Sequence, residues 1–167
     1  MQKVKLFLPN TGVKREWIIG SKGNKVTYRV IGGHSKASAY IYAPSEKIIC
    51  LGDNLIECYA QLSGNPTETL YIYKHLESLG FRYAIPGHGK VVKKEFVMKV
   101  KSYFEKLFSA LKSLIEQKVS RKEIINHPSI PEYFGKKRPD WTEGCFPNSN
   151  WIEMTIRSWY RYLKFKR

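Results

Sequence analysis

The sequence predicts a layered α/β domain of the α+β kind, in which helices cover a mixed β-sheet. Three observations predict it. Between Trp17 and Leu51 the chain is a series of short apolar runs separated by turn residues, the pattern of hairpin-linked strands. From Asn65 the apolar period becomes helical. A long amphipathic stretch over residues 94–117 then offers one apolar face able to cover a sheet.

The elements follow in order. Lys3-Val4-Lys5-Leu6-Phe7-Leu8 alternates in part and reads as a short strand or chain entry. Trp17-Ile18-Ile19 and residues 25–31 read as strands, joined by the turn Ser21-Lys22-Gly23-Asn24. Ala39-Tyr40-Ile41-Tyr42 and Lys47-Ile48-Ile49-Cys50-Leu51 are two more, joined by Pro44-Ser45-Glu46. Asn65-Pro66-Thr67-Glu68 opens a helix, with Asn65 as cap, Pro66 in the first turn and an acid beside the free N–H groups. Leu70, Tyr73, Leu76 and Leu79 follow at helical spacing, and Gly80 supplies the stop. Phe81-Arg82-Tyr83-Ala84-Ile85 is a short strand that ends at Pro86.

In the long helix Phe96, Val97, Val100, Phe104, Leu107, Phe108, Leu111, Leu114 and Ile115 form the core stripe. Ser120-Arg121-Lys122-Glu123 is a capping box for a short helix through Ile125. Residues 127–150 read as an irregular packed loop. Ser149 or Asn150 caps a last helix over residues 151–163, whose Ile152, Ile156, Trp159, Tyr160 and Leu163 share a face. Residues 1–126 form the domain, and residues 127–167 an aromatic, basic C-terminal extension packed on it.

At 167 residues, 43% of them hydrophobic, the chain suits one domain with a real core and excludes wholesale disorder. No run of roughly 18 apolar residues crosses a membrane, and the N-terminus lacks a signal-peptide core. The expectation is a cytoplasmic protein with no membrane partner. Cys50, Cys58 and Cys145 are an odd count without close pairing, which argues against a disulfide framework or a four-thiolate zinc site. Cys50 reads as a small buried hydrophobe. The net charge of +15 favours an anionic partner, nucleic acid among them. Trp141, Trp151 and Trp159 could stack on bases beside Arg157, Arg161, Lys164, Lys166 and Arg167. The competing reading packs the aromatic face of the last helix on the core.

Three stretches share one grammar: Gly32-Gly33-His34-Ser35, Leu51-Gly52-Asp53-Asn54 and Pro86-Gly87-His88-Gly89. Each sets a possible metal ligand on a glycine-containing loop just after an apolar run. A ligand at a strand end is held in place yet free of the ladder, and glycine lets the backbone turn beside the ion. Two imidazoles and a carboxylate are a sensible donor set for zinc or another borderline divalent metal. The alternative is that His34 serves a backbone carbonyl and Asp53 caps a turn.

In order and setting these stretches resemble the C-terminal half of the metallo-β-lactamase superfamily. Gly33-His34-Ser35 is similar to its Gly-His-Thr element, with Ser35 in place of Thr; Gly52-Asp53 is similar to its Gly-Asp element, and Pro86-Gly87-His88-Gly89 to its Pro-Gly-His-Gly element. The resemblance implies half, or a truncated version, of the αββα sandwich. It also implies one or two divalent ions, zinc by type. His34 and His88 would each ligate one ion, and Asp53 would bridge them as the catalytic carboxylate. The superfamily's His-x-His-x-Asp-His motif is absent, and neither His75, expected on a helix surface, nor His127, in a loop, rebuilds it. The chain alone is therefore expected to bind metal weakly or singly, and to hydrolyse an ester, thioester, amide or phosphodiester only when further ligands are supplied. A homodimer, or a partner chain supplying the missing half, would also cover the sheet face that a half-sandwich exposes. The alternative is a non-catalytic binding or structural protein that keeps the half-fold and engages an anionic or nucleic-acid partner.

Overall fold

The computed structural model describes residue 8 and residues 10–21, 23–57, 65–134 and 151–165. The expected strand at residues 3–8 falls almost wholly outside them, as do Cys58, Cys145, Trp141, Ser149 and Asn150.

Among the described residues six strands form one sheet in sequence order: β1 (Glu16–Ile19), β2 (Val26–Val30), β3 (Ala39–Ala43), β4 (Ile48–Ile56), β5 (Tyr83–His88) and β6 (Val92–Lys93). Every neighbouring pair is antiparallel except β4 and β5, which run parallel. A parallel pair needs a long crossover, and α1 (Pro66–Ser78) lies in it. The helices α2 (Lys94–Glu116), α3 (Arg121–Ile124) and α4 (Trp151–Phe165) follow among the described residues. The sheet is thus mixed and covered by helices, as the apolar periods predict. The two-residue β6 has no periodic signal and was not expected.

The sequence's local signals act as written. The Asn65 side chain accepts hydrogen bonds from the N–H groups of Thr67 and Glu68, with Pro66 in the first turn of α1. The reciprocal capping box of Ser120 and Glu123 opens α3. The end of α1 differs from expectation. Leu79 leaves the helix in an extended conformation, and Gly80 takes no left-handed turn. The Nζ of Lys94, at the start of α2, donates to the carbonyls of Glu77 and Leu79, so a cation closes the negative end of the helix.

One face of the sheet meets the helices. Tyr40, Ile49, Leu51 and Ala84 pack with Ile72, Tyr73 and Leu76 of α1 and with Val97, Val100, Phe104, Leu107, Leu111 and Leu114 of α2. Thr69 and Ile72 take places on the buried face of α1, while Leu70 and Leu79 are half-buried. On α4, Ile156, Trp159 and Tyr160 enter the same core, with the Trp159 ring 5.4 Å from Phe104. Trp159 is fully buried and so is not a stacking platform.

The other face carries an apolar row set by register. Trp17 pairs with Tyr28, Tyr28 with Ile41, Ile41 with Cys50, and Cys50 with Ile85. Trp17, Ile41 and Ile85 are 49%, 44% and 38% exposed, so the row is partly open to solvent, with Thr11 and Val13 beside its Trp17 end. Cys50 is a half-exposed member of the row, not the buried hydrophobe expected. Among the described residues no helix is long and apolar enough to cross a membrane.

Candidate metal centre

The three expected ligands meet at one end of the sheet. The loop after β2 closes on itself: the N–H groups of Ile31 and Gly32 both donate to the Ser38 carbonyl, and Ser38 N–H donates to the Ser35 carbonyl. Gly32 and Gly33 take φ of 77° and 105°, which L side chains rarely adopt. Both are also packed tightly. A Cβ on Gly32 would stand 2.2 Å from the Glu68 carboxylate, and one on Gly33 2.2 Å from Asn54 Oδ1. His34 follows at the exposed rim.

Asp53 is not on a loop as the sequence suggested; it lies within β4. The reason it escapes the ladder is a register break. Gly52 pairs with Pro86 and Ile56 with His88, so Asp53, Asn54 and Leu55 stand opposite Gly87 alone. Pro86 has no N–H for the ladder, and Gly52 turns left-handed at φ 51°. Gly87 gives the carboxylate its place: a Cβ there would stand 2.0 Å from Asp53 Oδ1 and 2.8 Å from the Asp53 nitrogen. His88 is the last residue of β5, so two of the three ligand positions are strand residues beside an irregularity.

The side chains then adjoin through Asp53. Its Oδ1 lies 3.4 Å from His88 Nε2, and its Oδ2 lies 3.9 Å from His34 Nε2. All three side chains are about 40% exposed and open to solvent. Two donors on one tetrahedral zinc, each roughly 2.0–2.1 Å from it, stand about 3.3 Å apart. The His88–Asp53 separation meets that value, and the His34–Asp53 separation exceeds it by about half an ångström. The donor set therefore fits a borderline divalent ion in type, and the His88–Asp53 pair also fits it in spacing. Each carboxylate oxygen faces a different ring, however, and among the described residues no three His, Cys, Asp or Glu side chains converge into a finished metal group.

Three neighbours of the site have no sequence motif that ties them to it. Asn54 is 1% exposed; its Nδ2 donates to the Gly32 carbonyl and its Oδ1 accepts the His34 N–H, each at 2.9 Å. Glu68 lies against Gly32. Glu57 N–H donates to the His88 carbonyl, and its side chain lies against Gly89. Only an apolar setting around a polar residue, as in Asn54-Leu55-Ile56, hinted at a buried amide.

The other histidines stay apart from this group. His75, expected on the helix surface, is half-buried. Its Nε2 lies 3.0 Å from the Tyr40 hydroxyl, and the rings stack with centroids 5.8 Å apart. Burial, then the nearby Arg29 charge, holds its pKa below the usual imidazole value. His127 sits in the loop after α3, where its Nδ1 accepts the Ser129 N–H.

No family model matches the chain, and no curated protein matches it significantly. Solved structures do. The stereoselective inverting sec-alkylsulfatase Pisa1 from Pseudomonas sp. is similar at TM-score 0.68 and 16% identity, over 95% of this chain and 27% of that one. A double mutant of the same enzyme gives TM-score 0.69 at 17% identity. A metallo-β-lactamase family protein from Thermus thermophilus is similar at TM-score 0.60 and 17% identity, over 90% of this chain and 48% of that one. The chain thus spans about a quarter of the sulfatase and about half of the Thermus protein. Backbone similarity over nearly the whole of this chain, joined to the mixed sheet and its helical cover, gives it the metallo-β-lactamase fold in part-length form.

Proposed function

We propose that the chain is part of a metallo-β-lactamase-like, metal-dependent hydrolase, acting on an ester, thioester, amide or phosphodiester. One observation carries this reading: the two oxygens of Asp53 face the Nε2 atoms of His34 and His88 at 3.9 and 3.4 Å. His34, Asp53 and His88 would hold one divalent ion, zinc by donor type, as the two-imidazole, one-carboxylate set of hydrolytic zinc sites does. Such an ion supplies Lewis-acid polarisation and a water nucleophile active at neutral pH. The chain's own work is placement. The register break in β4 frees Asp53, Gly87 leaves it room, and the closed loop of residues 31–38 sets His34 opposite. A second ion would need donors beyond these three.

A second copy of the chain is our proposed cover for the partly open sheet face. The row from Trp17 to Ile85 has no charged member, so it is a place where two chains of net charge +15 can approach. Five strands spaced roughly 4.8 Å apart, each about 15 Å long, offer on the order of 500 Å² per copy once side-chain relief is included. Two such faces reach about 1,000 Å², the lower bound for a specific interface. Sedimentation should give a dimer that Ile41→Lys converts to monomer; a wild-type monomer at micromolar concentration contradicts this part.

Calorimetric zinc titration tests the site itself. About one ion per chain, lost in His88→Ala and in Asp53→Ala, is expected. No binding by the wild-type chain would sink the reading. The non-catalytic alternative, supported by the net charge of +15, would then be pursued through salt-sensitive retention on single-stranded RNA.

A further inference from the structure

We infer that Asn54 is the positioning residue of this site, the group that fixes the His34 loop to the strand carrying Asp53. The inference rests on the metal reading above for its purpose, but not for its geometry. Asn54 follows Asp53 in β4, and its amide reaches across to the loop in both senses at once. Nδ2 donates to the carbonyl of Gly32 and Oδ1 accepts the N–H of His34, both at 2.9 Å. The two contacts bracket Gly33, so the amide takes the place of a neighbouring strand for that stretch.

The amide is itself held. Asn54 is 1% exposed, and its backbone carbonyl accepts the buried Tyr73 hydroxyl of α1 at 3.0 Å. The loop is shaped to receive it. A Cβ on Gly33 would stand 2.2 Å from Oδ1 and 2.7 Å from the Ile72 methyl, so the close approach demands glycine. A buried amide with both ends used is costly to misplace, because each lost partner leaves a desolvated polar group. The separation of His34 from Asp53, the wider of the two ligand contacts, is therefore set by one side chain adjacent to Asp53. This is support of a ligand through its backbone, distinct from support through its ring.

The test uses the full chain, with Asn54→Leu, which keeps the shape and removes both hydrogen bonds, and Asn54→Asp, which keeps the acceptor for His34 N–H. Amide hydrogen exchange reads the clamp without any metal. Exchange at His34 should quicken at least tenfold in Asn54→Leu and by less in Asn54→Asp, which keeps that acceptor but loses the donor to Gly32, while Leu107 in α2 stays protected in both. Zinc titration reads the consequence. Asn54→Leu should weaken binding at least tenfold in the wild-type background and less than twofold in a His34→Ala background. Unchanged exchange at His34, or equal weakening in both backgrounds, overturns the inference. A wild-type chain that takes up no zinc defeats the metal reading alone, and the exchange measurement then decides the clamp.

Discussion

Gly87→Ala isolates the step on which the site depends. Two effects oppose each other. Gly87 has no left-handed φ, so alanine suits its backbone and, by restricting the unfolded chain, should stabilise by about 0.4–1 kcal/mol. Against this, the new Cβ would stand 2.0 Å from Asp53 Oδ1, 2.7 Å from the Gly52 carbonyl carbon and 2.8 Å from the Asp53 nitrogen. A carboxylate can swing away, but two backbone atoms of β4 cannot move without disturbing the β4–β5 pairing. Overpacking of this kind costs roughly 1–3 kcal/mol and often more where backbone must shift. The steric effect wins, leaving a net loss of about 1–2 kcal/mol or a little more. For a chain of this length that lowers Tm by roughly 2–8 °C. Gly12→Ala, where a Cβ meets nothing within 4 Å, is the control and should be neutral or slightly stabilising. Thermal unfolding followed by circular dichroism measures both, and zinc titration should show weakened binding only in Gly87→Ala. A Gly87→Ala protein as stable as Gly12→Ala, with unaltered zinc binding, would refute the packing argument.

Three further outcomes follow from the fold. Asn65→Ala removes the acceptor for two N–H groups of α1 and should cost about 1 kcal/mol in urea unfolding. Phe104→Ala deletes a fully buried ring between Tyr73 and Trp159, each 5.4 Å away, and should cost about 3–5 kcal/mol by the same measurement. The lowered pKa of His75 makes stability depend on pH. The unfolded imidazole, near 6.5, takes a proton before the folded one does, because burial and Arg29 oppose charge in the fold. Its contribution is therefore whole above about 6.5 and declines as pH falls from there towards the lower folded value. The urea midpoint should fall across that window, and His75→Gln should flatten the decline.

The features legible in the sequence are those whose cause is local. The cap at Asn65, the capping box at Ser120 and the stripe of α2 each act within a few residues, and each stands where its pattern places it. The meeting of the His34, Asp53 and His88 side chains was legible through two histidines and an aspartate flanked by glycine at the ends of apolar runs. Its mechanism was not. Asp53 lies inside β4, and what frees it is Pro86-Gly87 on another strand, a cause that only pairing brings near. Asn54 has no motif, since its value lies in two backbone groups of the distant loop. His75 read as a surface residue because its partner Tyr40 belongs to β3. The cation that closes α1 comes from Lys94 in the next helix, where the sequence offered only Gly80. Helix spacing alone favoured Leu70 and Leu79, whereas the position of the sheet buries Thr69 and Ile72.

X-ray absorption at the zinc K-edge, on chain loaded with one equivalent and freed of excess, shows whether His34, Asp53 and His88 hold the ion. The expected result is retained zinc whose shell contains two imidazoles and a carboxylate oxygen at roughly 2.0–2.1 Å, with one imidazole lost in His34→Ala and one in His88→Ala. Zinc that washes away, or a shell without imidazole, would contradict it.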